Sequence, residues 1–536
     1  MKRTTSILLS ILLAASMLLT ACTSDTPTTA APSGGDNTSA ASDTTKAPDT
    51  EKDYSDRVLK VCYSGIAETM NPFEAANSIP HSATFEQVYV SLMRRDDDHS
   101  ITYSLADHYD VTEDGKEYTF HIRPEATFAN GDKITAEDVK FSYDGCRTST
   151  TRSAYLTSIV EIQVVDEETV KFILDYADPL FLGRTAAPGT CSVVSKKKVE
   201  ELGDKYGTSP ENTLSSGPYI ITDWEYNVSI SFEARDDFWL PQSNIKKAQF
   251  FSITDTNGTM VAMQTGDIEL SWSPVTGSSY NSLKSAEGVH FCEYRGGRYE
   301  NVHMYYKSGM FADVRMRQAV AYAVNKEEAL AVGIDNLGFT TRYPGDNPDT
   351  KANPDYDSPY MISYDLDKAK ALVEECGNVG AKVLIKSYQP DPYPALSTWL
   401  QSALIAIGLD AEIEIMERGA FLDACRAEEV EICILSLVGS SYDMDDDFCN
   451  YVDSRNAGSG NRGWYMSEQM DGLIMAARNC GNLEERTEYF RQMIDLMWQD
   501  VPLVPLFCWN YALPVSDRLN VPNGRVYSFR SYSWVD

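Results

Sequence analysis

The chain is 536 residues long, with 46 Lys+Arg against 79 Asp+Glu and a formal net charge of −33. That length exceeds one ordinary domain, and 43% hydrophobic with 11% aromatic residues excludes a mostly disordered chain. The acid excess argues against nucleic acid or an anionic membrane surface as a partner, since both are held through Lys and Arg.

The N-terminus reads as an export signal. Lys2 and Arg3 precede an apolar stretch from Ile7 to Leu19, too short to span a bilayer comfortably. Leu19-Thr20-Ala21-Cys22 follows, with the small residues that a signal peptidase reads. The tetrapeptide resembles the bacterial lipobox, which implies a signal peptide over 1–21 and lipid on Cys22. Residues 22–54 then form a tether. Of the 31 residues from Thr23 to Asp53, 22 are Thr, Ser, Ala, Pro or Gly, and none is aromatic, Leu, Ile, Val or Met. Such a segment cannot bury a core, and its mean reach is about 30 Å. No later stretch is apolar enough to span a membrane. The body is therefore expected to be anchored by lipid to a cell membrane, facing the extracellular or periplasmic side.

In the body, Asp114-Gly115 is a turn between alternating segments, with Tyr118, Phe120 and Ile122 on one face of a strand. Asn130-Gly131 is a second turn, and Thr135-Ala-Glu-Asp138 resembles a capping box opening a helix. Ser158 to Leu174 reads as a second hairpin turning at Asp166 and Glu167. Later the texture changes. Helical stripes follow Asp313 and Asp365, and a third runs from Leu396 to Ile407 and stops at Gly408. Strand patterns at Leu409–Ile415 and Val430–Leu435 flank a short helix through Phe421. Helices alternating with strands indicate an α/β fold. Eleven cysteines and six histidines offer neither C-x-x-C pairs nor metal-ligand spacing. Cysteine pairing stays open, with buried free thiols the preferred reading, and no cofactor or metal is expected.

An enzyme is not expected. G-x-S-x-G is absent, and Gly458-Ser-Gly-Asn-Arg-Gly463 matches G-x-G-x-x-G without a strand before it and a helix after it.

Longer runs carry a family resemblance. Leu105-Ala-Asp, Asp110-Val-Thr-Glu-Asp-Gly-Lys-Glu-Tyr-Thr-Phe-His-Ile-Arg123 and Phe128-Ala-Asn-Gly-Asp-Lys-Ile-Thr-Ala-Glu-Asp-Val-Lys-Phe-Ser142 are the clearest. Met70-Asn-Pro72, Ser216-Gly-Pro-Tyr219, Gln264-Thr-Gly-Asp-Ile-Glu269, Val314 to Asn325, Tyr364 to Leu372 and Asp500 to Leu506 follow in order. These segments resemble the family 5 extracellular solute-binding proteins, the peptide- and nickel-binding lipoproteins of ABC importers. The resemblance implies a two-lobed periplasmic-binding-protein-like fold with a hinge and a ligand cleft between the lobes. It implies a discontinuous first lobe over 55–275, returning at 503–536, and a second lobe over 276–502. It also implies a monomer that captures a small peptide and delivers it to ABC permease subunits. A non-peptide ligand such as chelated nickel, a sugar or an opine, or a sensory role, would use the same fold.

The site is expected from the same comparison. Family members hold the ligand's ammonium on an Asp of the second lobe. The matching stretch here is Leu437-Val-Gly439-Ser440-Ser441-Tyr442-Asp443, with Ser440 where that Asp should stand. A buried ammonium without a counter-charge is costly, so either Asp443 takes the role or the ligand is not an ordinary free peptide. Alternatively Asp443, Asp445, Asp446 and Asp447 form a solvated loop with Asp445 capping a helix. Ile66, Met70 and Asn71 are expected near ligand backbone. Trp272, Tyr442, Trp464 and Trp509 are candidate stacking aromatics, and Arg295 and Arg298 candidate carboxylate partners.

Overall fold

A computed structural model describes residues 52–75, 78–96, 100–275, 277–307, 309–389, 392–438, 442–522 and 527–535. The predicted signal peptide, Cys22 and nearly all of the tether lie outside the described residues, as do Gly439, Ser440 and Ser441. The folded body is the compact unit from Asp53 onward.

The local signals produce the elements they predict. Strands Ala106–Val111 and Glu117–Ile122 pair antiparallel. Helix Ala136–Thr148 opens on a full capping box between Thr135 and Asp138. Strands Ile159–Val164 and Thr169–Leu174 form the second hairpin. Asp313 and Asp365 cap the helices Val314–Ala323 and Leu366–Glu375 through their carboxylates. Helix Tyr393–Ala406 ends before Gly408, which stands at φ +94°, a conformation that favours glycine.

An 11-stranded mixed sheet runs through the molecule. Its order is Asp410–Met416, Lys382–Tyr388, Ile432–Val438, Val289–Met304, Leu503–Ser516, Leu270–Ser271, Val58–Tyr63, Lys247–Ser252, Ser229–Ala234, Tyr219–Glu225, with Gly338–Thr340 added beside Leu503–Ser516. The two hairpins form a separate four-stranded sheet.

Three large cores result. One gathers Val302, Ile385, Leu400, Phe490 and Trp498. A second gathers Val61, Phe250, Trp272, Val515 and Phe529. A third lies under the four-stranded sheet, around Phe120, Val139 and Phe172. The long strands Val289–Met304 and Leu503–Ser516 serve both of the first two. Cys292, Leu513 and Val515 belong to the second core, whereas Tyr299, Val302 and Leu503 to Trp509 belong to the first. Core membership thus changes inside these strands, downstream of the expected borders at 275 and 503. The register between them slips between Arg295 and Tyr299, the bulge that re-aims a strand. Both ends of the described body sit in the second core, where the Arg57 guanidinium lies 4.1 Å over the Trp534 ring.

Candidate functional site

The acidic run is buried rather than solvated. Asp443, Asp445 and Asp447 are all buried, and the 445–449 segment turns as a π-helix, a rare geometry common at functional sites. Each carboxylate has its own partner. Arg486, from helix Leu483–Asp500, donates to both oxygens of Asp443, at 2.8 Å from Nη1 to Oδ2 and through a second bond from Nη2 to Oδ1. Both side chains are deeply buried. Asp443 is thereby committed to a core ion pair, which accounts for its carboxylate without a ligand. Asp445 accepts from Arg478 Nε at 2.6 Å and caps no helix; the solvated-loop reading is corrected on both counts. Asp447 accepts from Thr350 Oγ1 at 2.8 Å and from the Tyr299 hydroxyl at 3.3 Å. Burial, then the charges of Asp446 and Asp443, pushes its carboxyl well above the usual range. The buried site thus favours the protonated acid over the carboxylate.

Beyond this run opens a cavity of about 740 Å³. One wall carries Tyr155, Tyr176, Asp178 and Arg184; the other carries Leu437, Val438, Asp445, Asp446, Asn450, Asp453, Arg455 and Arg478. Ion pairs order both walls. Arg184 donates to Asp178 at 2.6 Å, and Arg478 spans Asp445 and Asp453, the latter at 3.1 Å. Burial raises the Asp453 carboxyl, but hydrogen bonds from Arg455 outweigh it and hold the group below the usual range. Tyr176 feels both sides. Burial and Asp178 push its phenol up, with Arg184 and Arg478 opposing. Four aspartates against three arginines leave the lining one negative charge in excess. Such a surface suits a neutral, zwitterionic or cationic ligand better than an anion.

The residues expected from sequence fall elsewhere. Ile66 and Met70 are buried in the second core, and Tyr89 donates its hydroxyl to the Met70 carbonyl at 2.7 Å. Asn71 Oδ1 accepts from its own turn, at Phe73 N. Trp272 is enclosed by Phe250, Tyr527 and Phe529 and donates to the Tyr532 hydroxyl at 2.9 Å. Trp464 donates to the Cys425 carbonyl at 2.9 Å and lies under Lys307. Tyr442, at φ +52°, accepts from Lys351 N through its carbonyl. Arg295 pairs with Asp349. Arg298 lies 4.1 Å over Trp509 and pairs with Glu300 at 3.0 Å. None of these lines the cavity. Leu437 and Val438 do, and they lead directly into Gly439, Ser440 and Ser441, which lie outside the described residues. Sequence reasoning missed Tyr176, Asp178, Arg184, Arg455 and Arg478, whose roles depend on tertiary placement.

Comparison with known proteins decides the family. The profile of the bacterial extracellular solute-binding proteins, family 5 (middle region), matches residues 100–459. The chain belongs to this family. Among curated relatives, the glutathione-binding protein GsiB of Salmonella typhi is 24% identical over 458 residues, covering 82% of this chain and 86% of its own. The dipeptide-binding protein of Escherichia coli (strain K12) is 24% identical over 487 residues, covering 83% and 88%. The fold matches that of HbpA2 from Haemophilus parasuis with a TM-score of 0.79 at 20% identity, over 89% of this chain and all of that one. The architecture is therefore the two-lobed α/β fold of periplasmic binding proteins, and the protein is an extracellular or periplasmic solute-binding protein. Among the described residues no helix is long and apolar enough to cross a membrane.

Proposed function

We propose that this protein captures short peptides in the 740 Å³ cavity and delivers them to the membrane permease of an ABC importer, while anchored through lipid on Cys22. The two walls act as the jaws of the cleft. The lobes meet through the strands Val289–Met304 and Leu503–Ser516, with the crossings near 293–298 and 509–513, and ligand shifts the hinge equilibrium by binding the closed state better. The carrying observation is a cavity between two ion-paired walls, of a size suited to a small ligand. Relatives named for dipeptides and glutathione agree with it. We assign the ligand's ammonium to Asp446, half-buried on the wall with Asn450 Nδ2 donating to Oδ1 at 3.0 Å. No covalent chemistry is needed. The deciding experiment is mass spectrometry of small molecules released from the mildly purified body on denaturation. A set of short peptides is the expected result, and Asp446→Asn should weaken peptide binding about tenfold or more, the scale of a lost charge-assisted hydrogen bond. A single non-peptide species, or unchanged peptide affinity in the variant, would refute the respective part. Labelled fatty acid should enter the wild type in cells and be absent from Cys22→Ser.

A further inference from the structure

All ten cysteines of the described body are free thiols, and eight are buried. Five of them meet other groups. Cys508 donates to the Gly296 carbonyl at 3.0 Å, Cys480 to the Asn482 carbonyl at 3.4 Å, and Cys376 to Asp313 at 3.8 Å. Cys62 meets the Thr259 hydroxyl at 3.9 Å. Cys449 is surrounded by carboxylates and arginines.

Four cysteines differ. Cys146 lies one helical turn beyond Ser142, whose hydroxyl accepts from Val194 N at 3.0 Å. That contact lays the Cys191–Val194 segment along the same helix face, and Cys146 and Cys191 are buried in one core, close enough to act on each other. Cys425 ends helix Arg418–Arg426, and Cys433 lies on strand Ile432–Val438 after a short return. The two are buried together in one small core with Tyr388 and Phe421, close enough to act on each other.

Each pair has a buried arginine of its own as companion. Arg152 is 1% exposed. Its Nε donates to the Pro72 carbonyl at 2.6 Å, but Nη1 and Nη2 have no partner. Burial lowers its pKa, and Cys146, Cys191 and Tyr155 are the ionisable groups that oppose this. The buried Tyr143 hydroxyl beside them is also unpartnered. Arg462 donates from Nη1 to the Gly458 carbonyl at 2.7 Å, its Nε has no partner, and its strongest charge neighbours are Cys425 and Cys433. Among the described residues no carboxylate forms an ion pair with either guanidinium. A buried cation without a counter-ion is costly. The ionisable groups acting on each include both thiols of a pair, with Tyr155 also near Arg152 and Arg426 and Tyr388 near Arg462, and a nearby guanidinium favours the thiolate that attacks disulfides. The same positive charge disfavours a metal cation between the two sulfurs.

We propose that Cys146–Cys191 and Cys425–Cys433 are two disulfide-forming pairs, closed by a low-molecular-weight disulfide outside the cytoplasm, while the other six body cysteines remain thiols. In each pair one thiolate attacks a sulfur of R–S–S–R. The R–S bond to its partner sulfur breaks, and the leaving thiolate takes up the proton of the first thiol. The second thiolate then attacks the mixed disulfide at the protein sulfur. It expels the second R–S⁻, which takes the remaining proton. Two protein thiols are oxidised and one small disulfide is reduced to two thiols. An extracellular or periplasmic protein meets such oxidants, whereas a cytosolic one does not.

The test uses the full exported chain. Free thiols are alkylated under denaturing conditions without reductant, and the digest is mapped by mass spectrometry. The expected result is two crosslinked peptides, 146–191 and 425–433, with Cys62, Cys292, Cys376, Cys449, Cys480 and Cys508 alkylated. The same map should return after reduction and exposure to glutathione disulfide. Alkylation of all four cysteines, or any other connectivity, overturns the proposal; one pair closing alone overturns it for the other. Arg462→Met should slow closure of Cys425–Cys433 about tenfold and leave Cys146–Cys191, an internal control for folding, unchanged. Equal rates would remove the guanidinium from the argument.

Discussion

At the scale of single residues, burial decides which charges exist. Removing one partner of the Asp443–Arg486 pair strands the other in the core. Arg486→Met should therefore cost about 3–5 kcal/mol in denaturant unfolding. Adding Asp443→Leu to that variant should recover most of the loss, because no charge is then left buried. Two buried groups, His303 and Asp447, tie stability to pH with opposite signs. Burial, then the Arg462 charge, lowers His303 from its ordinary value to about 3. The unfolded chain takes the proton first, so this contribution is complete above about pH 6.5 and is lost as pH falls towards 3. His303→Gln should flatten that acid limb of a melting-temperature profile. Asp447 is raised instead, so the fold prefers its protonated form. Its contribution is complete below the ordinary carboxylate range and is lost as pH rises from there through its raised pKa. Asp447→Asn should remove that loss, and a profile parallel to wild type would disprove the reading.

At the scale of elements, the sequence was most legible where a signal acts within a few residues. The capping box at Thr135 and Asp138, the aspartates before Val314 and Leu366, and the glycine after helix Tyr393–Ala406 each act on the adjoining backbone. Thr135→Ala should accordingly cost about 1 kcal/mol in thermal or denaturant unfolding. The cavity was illegible for the opposite reason. Tyr176, Asp178 and Arg184 follow a hairpin, and Arg478 ends the helix Glu468–Arg478; no spacing in the chain links them to Asp445. The run Asp445-Asp446-Asp447 looked solvated because Arg478, Arg486 and Thr350, which neutralise or satisfy three of its neighbourhood's carboxylates, are distant in sequence. Trp272 shows the converse error: a large aromatic is conspicuous in a sequence, but the Phe250–Phe529 cluster claims it for the core. One close approach between elements is testable. Gly207, at φ +74°, accepts from Met70 N at 2.7 Å, and an added Cβ would stand 2.3 Å from Asn71 N. Gly207→Ala should destabilise by roughly 2 kcal/mol or more, combining the positive φ with a backbone clash.

At the scale of the whole molecule, the sheet and the two crossing strands make one mechanical unit out of two cores. Ligand that binds the closed arrangement should raise the melting temperature with its concentration. A peptide at a hundred times its Kd would add about 2.7 kcal/mol. A peptide that binds in calorimetry without moving the melting temperature would not be binding the folded body in preference to the unfolded chain.

The seating of both ends of the described body in one core has a topological consequence. Arg57 touches Trp534, so the chain can be made endless there by a short loop and reopened elsewhere. The turn Gly377 to Gly380, with both glycines at positive φ, is a surface site suited to new termini. Such a circular permutant would keep both crossing strands whole and place its new ends on the other core. It should refold and keep its ligand affinity, with the proposed lipid attachment moved from one core to the other.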